Sequence, residues 1–173
     1  MKQTVYLILL FLTISFNSFA KDIKGIYKVY VYFLPVGEVV FDIRGDRATV
    51  KGETYKSLRW IYNYTFRFEA SPEGYFLYEK ENKKEKVYKN QQIEKKKPWL
   101  PLIVKYIMEG KKPDTENDPH FPYKIEEKGD RVIIYPLKSK KVKKIIIKLS
   151  KNSRLPEKID IEGKIDITLE RIK

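Results

Sequence analysis

The stretch "YVYFLPVGEVVFDIRG", Tyr30–Gly45, alternates apolar and polar residues on both sides of an interruption at Pro35-Val36-Gly37. On the C-terminal side Val39, Phe41 and Ile43 share one face, with Glu38, Asp42 and Arg44 opposite. A period of two marks a half-buried strand, one face on a core and one in water. Proline donates no ladder hydrogen bond, and glycine accepts backbone conformations that other residues avoid. The interruption is therefore expected to be a hairpin turn or a corner where one strand bends into the next. Either produces a meander of strands curling round one apolar face.

The same alternation extends outward in both directions. "GIYKVYVYF" places Tyr27, Val29, Val31 and Phe33 on one face, and "RATVKGETY" continues the pattern. "IYNYTFRFEA" sets Tyr62, Tyr64, Phe66 and Phe68 together, followed by "GYFLYEKE" and "KEKVYKNQ". Later come "YKIEEKGDRVIIYPL", turning at Lys128-Gly129-Asp130, and "KKIIIKLS". In "KIDIEGKIDITLERI" Ile159, Ile161, Ile165, Ile167 and Leu169 all fall on odd positions. A two-residue turn at Glu162-Gly163 would split that set between two faces. The pattern calls for one strand bent at Gly163 or a hairpin with an odd-length loop.

One helix interrupts the strands. "PWLPLIVKYIMEGKKP" has prolines at its start, Gly110 past its end and Pro113 beyond. Leu100, Ile103, Val104 and Ile107 form a stripe at helical spacing. A single helical turn is expected near residues 57–63. The fold class is thus mainly β, with α+β character: a curved antiparallel sheet forming an open or half β-barrel. The short helix is expected across its concave face.

Composition narrows the function. Residues 1–20 have a lone Lys2, an apolar run from Val5 to Phe16 and small or polar residues ending at Ala20. That is the order of a secretory signal peptide, with cleavage expected after Ala20. The run is shorter than the roughly 20 residues a membrane span needs. Residues 21–173 are expected to form a single half-barrel-like domain, placed in a bacterial periplasm. The 173-residue chain has no cysteine and one histidine, His120. It therefore has no disulfide framework, and a zinc site lacks its usual ligands. The net charge of +13 comes from a lysine-rich surface. Arginine is the preferred reader of bases and phosphates, so no nucleic-acid partner is expected. Peripheral contact with an anionic membrane surface is a secondary expectation.

The order of these features resembles a bacterial cell-envelope family catalogued only as a domain of unknown function (family 3108). The resemblance rests on Gly37-Glu38 opening the second strand, Leu155-Pro156, and the paired terminal strand with Gly163, and covers roughly residues 24–172. This chain departs from it in its short central helical region and lysine-rich terminal strands. The family's fold is similar to the half-barrels of outer-membrane lipoprotein carriers. There a curved antiparallel sheet and short helices enclose an apolar cavity for acyl chains. The resemblance implies that fold and sets a prior for lipid binding, and it transfers no catalytic residue.

The chain carries thirteen tyrosines, nine phenylalanines and two tryptophans. Aromatic residues are the usual bulk of a core, which is the simplest role for any one of them. As a set, Trp60, Tyr62, Tyr64, Phe66, Phe68 and Trp99, with Ile103 and Ile107 of the helix, are the expected apolar lining of a ligand cavity. Lys95, Lys96 and Lys97 precede the helix, where free N–H groups attract negative charge, and are a candidate anion contact. A solvated lysine run is the simpler reading. The acids near His120 (Asp114, Glu116 and Asp118) do not match a calcium-binding loop, since Pro119 and Ile125 occupy its required glycine and glutamate positions. Pairs such as Glu53 with Glu69, or Asp42 with Glu38, arise by chance among twenty-three acids and carry no hydrolase signature. No metal, cofactor or catalytic residue is expected.

The function expected from sequence is that of a non-enzymatic, exported envelope protein. It would bind a lipid, acyl chain or other apolar ligand in the concave face of a curved sheet. The alternative is a protein-interaction or scaffold module with an envelope protein partner and no small-molecule cavity.

Overall fold

The computed structural model describes residues 22–109 and 122–173. Eleven strands are β1 (Ile23–Val31), β2 (Leu34–Arg44), β3 (Arg47–Thr54), β4 (Tyr64–Ser71), β5 (Gly74–Glu81), β6 (Lys84–Lys89), β7 (Tyr123–Lys128), β8 (Arg131–Pro136), β9 (Val142–Lys148), β10 (Lys158–Gly163) and β11 (Ile167–Arg171). Two helices, α1 (Gln91–Lys96) and α2 (Trp99–Glu109), fall between β6 and β7. All strands join one antiparallel sheet in the order β6-β5-β4-β3-β2-β1-β11-β10-β9-β8-β7. The sheet is not closed: β6 and β7 are its two edges, and both helices lie in the segment that joins them. Strands β1 and β11 pair at its centre, Tyr27 opposite Arg171 through Val31 opposite Ile167.

The interruption at Pro35-Val36-Gly37 is neither of the two expected devices. The hairpin turns earlier, at Tyr32-Phe33, where Val31 pairs with Leu34. Tyr30 then opposes Pro35 and Val29 opposes Gly37, which leaves Val36 as the extra residue of a β-bulge. Gly37 is required by close approach: a Cβ there would lie 2.1 Å from the Glu53 carbonyl oxygen. Gly163 repeats the arrangement beside β9, with a second bulge and a Cβ position 2.0 Å from the Lys141 carbonyl oxygen. The terminal hairpin has the odd-length loop that its isoleucines call for. Ile161 pairs with Ile167 across residues 164–166, and Ile165 is exposed at the tip.

The strand alternation becomes burial alternation. Val39, Phe41 and Ile43 of β2 and Ala48 and Val50 of β3 are buried, while their neighbours are wet. Ile145 and Ile147 of β9 and Ile159 and Ile161 of β10 continue the same core. Helix α2 contributes Leu100, Leu102, Ile103, Val104, Tyr106 and Ile107, so more than one stripe is covered. It runs from Trp99 through Glu109, and the expected stop at Gly110 and Pro113 lies outside the described residues. The helical turn expected over 57–63 is a 3-10 turn at Lys56–Leu58. Helix α1 occupies a stretch expected to be a lysine-rich loop. Its Ile93 is fully buried and anchors the short helix to the core.

The loops divide between two ends. Those after β1, β3, β5, β8 and β10 lie at one end. Adjacent loops there are tied by backbone bonds from Tyr32 N to the Asp166 oxygen (2.9 Å), Tyr55 N to Val36 (2.9 Å), Asn82 N to Asn63 (2.7 Å) and Lys164 N to Lys141 (2.9 Å). At the opposite end the buried Tyr27 hydroxyl donates to the Pro156 carbonyl at 2.8 Å, and Arg171 Nη1 donates to the Leu155 carbonyl at 2.7 Å. Leu155 lies over Gly25, where a Cβ would meet its Cδ1 at 2.4 Å. The residues of the Leu155-Pro156 pair thus seal that end.

Candidate functional site: an apolar cavity with a polar plug

A cavity of about 720 Å³ lies between the sheet and the start of α2. Its deep wall is apolar: Phe41, Val50 and Leu77 from β2, β3 and β5, Ile159, Ile161 and Leu169 from β10 and β11, and Leu100, Ile103 and Val104 from α2. Its exposed rim includes Tyr62, Lys84, Lys86, Lys141, Lys164 and Ile165. Those residues belong to the end that carries the β1–β2 and β10–β11 turns, so the cavity opens there. Gly52 makes room for Phe66, which crosses it so closely that a Cβ on Gly52 would sit 2.2 Å from its ring.

Two polar side chains are buried against this wall, Thr54 and Glu79. Thr54 Oγ1 is satisfied by the Tyr64 backbone, donating to its carbonyl at 3.3 Å and accepting from its N–H at 3.2 Å. Glu79 is only 7% exposed, and its Oε1 accepts from both the Tyr64 hydroxyl and Lys97 Nζ. The carboxylate is thus held at the cavity wall by a cation and a phenol. Burial first, then the bond to Glu79, pushes the Tyr64 hydroxyl far above its ordinary pKa. Tyr62, which donates to Glu81 at 3.2 Å, is pushed up to about 12 by burial and that neighbour. Both phenols therefore stay protonated donors at any physiological pH.

Of the residues expected to line a cavity, Tyr62, Tyr64, Phe66, Trp99 and Ile103 do so. Tyr62, Tyr64 and Phe66 form a ladder with successive ring centroids 6.0 Å apart. Three do not line it. Trp60 is 84% exposed, because the chain leaves β3 through the 3-10 turn before re-entering the sheet at Tyr64. Phe68 is buried one layer away against Tyr75, with centroids 5.9 Å apart. Ile107 is buried a turn further along α2. Of the expected anion contacts, Lys96 is on the rim and Lys95 is exposed outside the lining. Lys97 is committed to Glu79 and is not a free cation. The acids near His120 lie outside the described residues. Among the described residues no cluster of His, Cys, Asp and Glu could hold a metal ion.

Glu79 was missed in the sequence, although "GYFLYEKE" carried the signal. Leu77 and Glu79 share the inward phase of β5, and a carboxylate on an inward phase demands a partner.

No family model matches the chain. It is 38% identical over 160 residues to an uncharacterized protein of Aquifex aeolicus (strain VF5), an alignment that covers 92% of this chain and 91% of that one. At that identity and coverage, the chain belongs to the same protein family as this Aquifex protein.

Proposed function

We propose that this protein is a non-enzymatic, exported envelope protein that binds a lipid or other acyl-chain ligand. In this reading the sheet curves into a half-barrel like those of lipoprotein carriers, and α2 lies across its concave side. Residues 1–20 act as the export signal, and the mature domain works in the periplasm.

One observation carries the reading: an apolar cavity of about 720 Å³ whose buried acid is already neutralised by Lys97. Ligand sites fall roughly between 300 and 1,000 Å³ and are mostly apolar with a few placed polar groups. Burial of an acyl chain there contributes about 25 cal/mol per Å² of apolar surface. The phenol oxygens of Tyr62 and Tyr64, whose protons go to Glu81 and Glu79, can each accept a hydrogen bond from a ligand hydroxyl or amide.

Native mass spectrometry of the purified protein, before and after organic extraction, tests this. A lipid-sized adduct that extraction removes is the expected result. Ile103→Trp and Ile161→Trp, each filling the cavity from one wall, are expected to abolish the adduct while the protein stays folded. An adduct-free protein that also fails to bind an apolar fluorescent probe would refute the reading.

The scaffold alternative rests on the two open sheet edges. Lys84, Lys86 and Lys89 decorate β6, and edge lysines oppose strand addition. That observation favours the cavity over the edge.

A further inference from the structure

Eleven large hydrophobic side chains are exposed among the described residues, and eight of them gather at the cavity's open end. Six of the eight sit on separate loops, Tyr32 and Phe33 on β1–β2, Trp60 and Ile61 on β3–β4, Leu137 after β8, and Ile165 on β10–β11, with Leu34 and Tyr62 beside them. Phe33 is 81% exposed and Trp60 84%. Tyr32 holds φ at 56°, a conformation that glycine ordinarily takes. An aromatic side chain is thus kept at that tip against backbone preference.

The charge is divided the same way. The five loops of the open end, residues 32–33, 55–63, 82–83, 137–141 and 164–166, carry seven basic residues and a single acid, Asp166. The four loops of the sealed end, 45–46, 72–73, 129–130 and 149–157, carry four acids and two basic residues. The arginines flanking those sealed-end loops are already taken, Arg44 by Asp42, Arg47 by Glu73 and Arg131 by Asp130, and at the open end Arg59 is taken by Glu53, which leaves the lysines to carry the contrast. Apolar tips ringed by cations describe the chemistry of an interface with anionic lipid: rings enter the headgroup boundary while lysines meet the phosphates.

We propose that the open end docks end-on against an anionic phospholipid surface, with Phe33, Trp60 and Ile165 inserted and Lys140, Lys141 and Lys164 on the phosphates. The proposal rests on the cavity reading and extends it. A docked mouth faces the acyl region directly, so a ligand moves between bilayer and cavity without crossing water.

Flotation with vesicles tests it, comparing phosphatidylglycerol mixed with phosphatidylcholine against phosphatidylcholine alone. The protein should partition onto the anionic vesicles and release in high salt. The double variant Phe33→Ser/Trp60→Ser should weaken partitioning at least about tenfold. The triple variant Lys140→Glu/Lys141→Glu/Lys164→Glu should weaken it about a hundredfold or more. All these side chains are exposed, and every variant shares the parent's amino terminus, so any contribution from residues 1–20 cancels. Leu149→Ser/Ile172→Ser, at the sealed end, should change nothing. In a Trp99→Phe background, Trp60 emission should shift to the blue on docking.

Lack of binding to anionic vesicles, or binding indifferent to both open-end variants, overturns docking. So does a self-associated dimer that Phe33→Ser/Trp60→Ser dissolves without vesicles present. An apolar probe held in the cavity by a protein that ignores vesicles separates failure of docking from failure of the cavity reading.

Discussion

The two wings of the sheet solve the same packing problem with different residues. The wing from β2 to β6 is built on aromatics and small residues: Phe41, Gly52, Tyr64, Phe66 and Phe68 face inward. The wing from β7 to β9 is built on Val132, Ile134, Ile145 and Ile147, all buried to 2% exposure or less. Strands β7 and β8 contribute nothing to the cavity, and β9 contributes only Val142. β-Branched side chains are stiff and fill a pleated surface evenly. Rings stacked as a ladder leave gaps at their edges, and Gly52 lets the Phe66 ring lie flat across the strand. Space in this protein is therefore a product of residue shape in one wing, sealed by uniformity in the other.

That contrast can be broken most forcefully by truncation. Ile147→Ala in the solid wing is expected to cost about 2–5 kcal/mol, because a new void opens in a filled region. Ile103→Ala, on a wall that already faces empty space, should cost less by at least about 1 kcal/mol. Equal losses in chemical denaturation would mean that the aromatic wing is as tightly filled as the other.

The polar plug gives the next largest effect. Lys97→Met leaves the Glu79 carboxylate without its cation and is expected to destabilise by about 1–3 kcal/mol. Adding Glu79→Gln should restore part of that loss, since the unpaired charge is gone. A double variant worse than the single would show that the pair does not act as a unit.

Alkaline pH sharpens the comparison further, because three of the raised phenols, Tyr27, Tyr62 and Tyr64, lie in or beside the aromatic wing. Tyr62 is raised from an ordinary 10.0 to about 12, and Tyr64 and Tyr27 are raised too, with burial the leading cause in each. A raised folded-state pKa means that the neutral form is favoured by folding. Their contribution is complete below pH 10 and is lost as the pH climbs through 12 and above. Stability measured by denaturant should fall across that window, and Tyr64→Phe should blunt the fall.

The smallest effect belongs to the outer surface of the same wing. Lys80 and Glu85 pair at 2.8 Å between β5 and β6, both well exposed. Lys80→Ala should change stability by no more than about 1 kcal/mol.

The strands and the main helix were legible in the chain because alternation is a local signal and burial follows it directly. Val39, Phe41 and Ile43 needed nothing beyond their own spacing. The hairpin tip was misplaced because proline and glycine mark a bulge as readily as a turn. Only the register of β1 against β2 separates the two. Trp60 was misassigned for a related reason: it was grouped with the lining for its aromatic character, although it sits in the expected helical turn, and the chain around the 3-10 turn at Lys56–Leu58 leaves the indole outward. The Glu79–Lys97 contact joins β5 to the segment before α2, eighteen positions apart, and no periodicity reports such a meeting. The open end was invisible for the same cause, since its loops are scattered between residues 32 and 166 and converge only once the strands are ordered.

The pairing of β1 with β11 bears on how the chain is born. A ribosome can release β1 through β6 in order, and each can zip onto its predecessor. One flank of β1 nevertheless stays bare until residues 167–171 have been translated. Completion of the sheet thus waits on a strand far along the chain, with the slow kinetics expected when distant segments must meet.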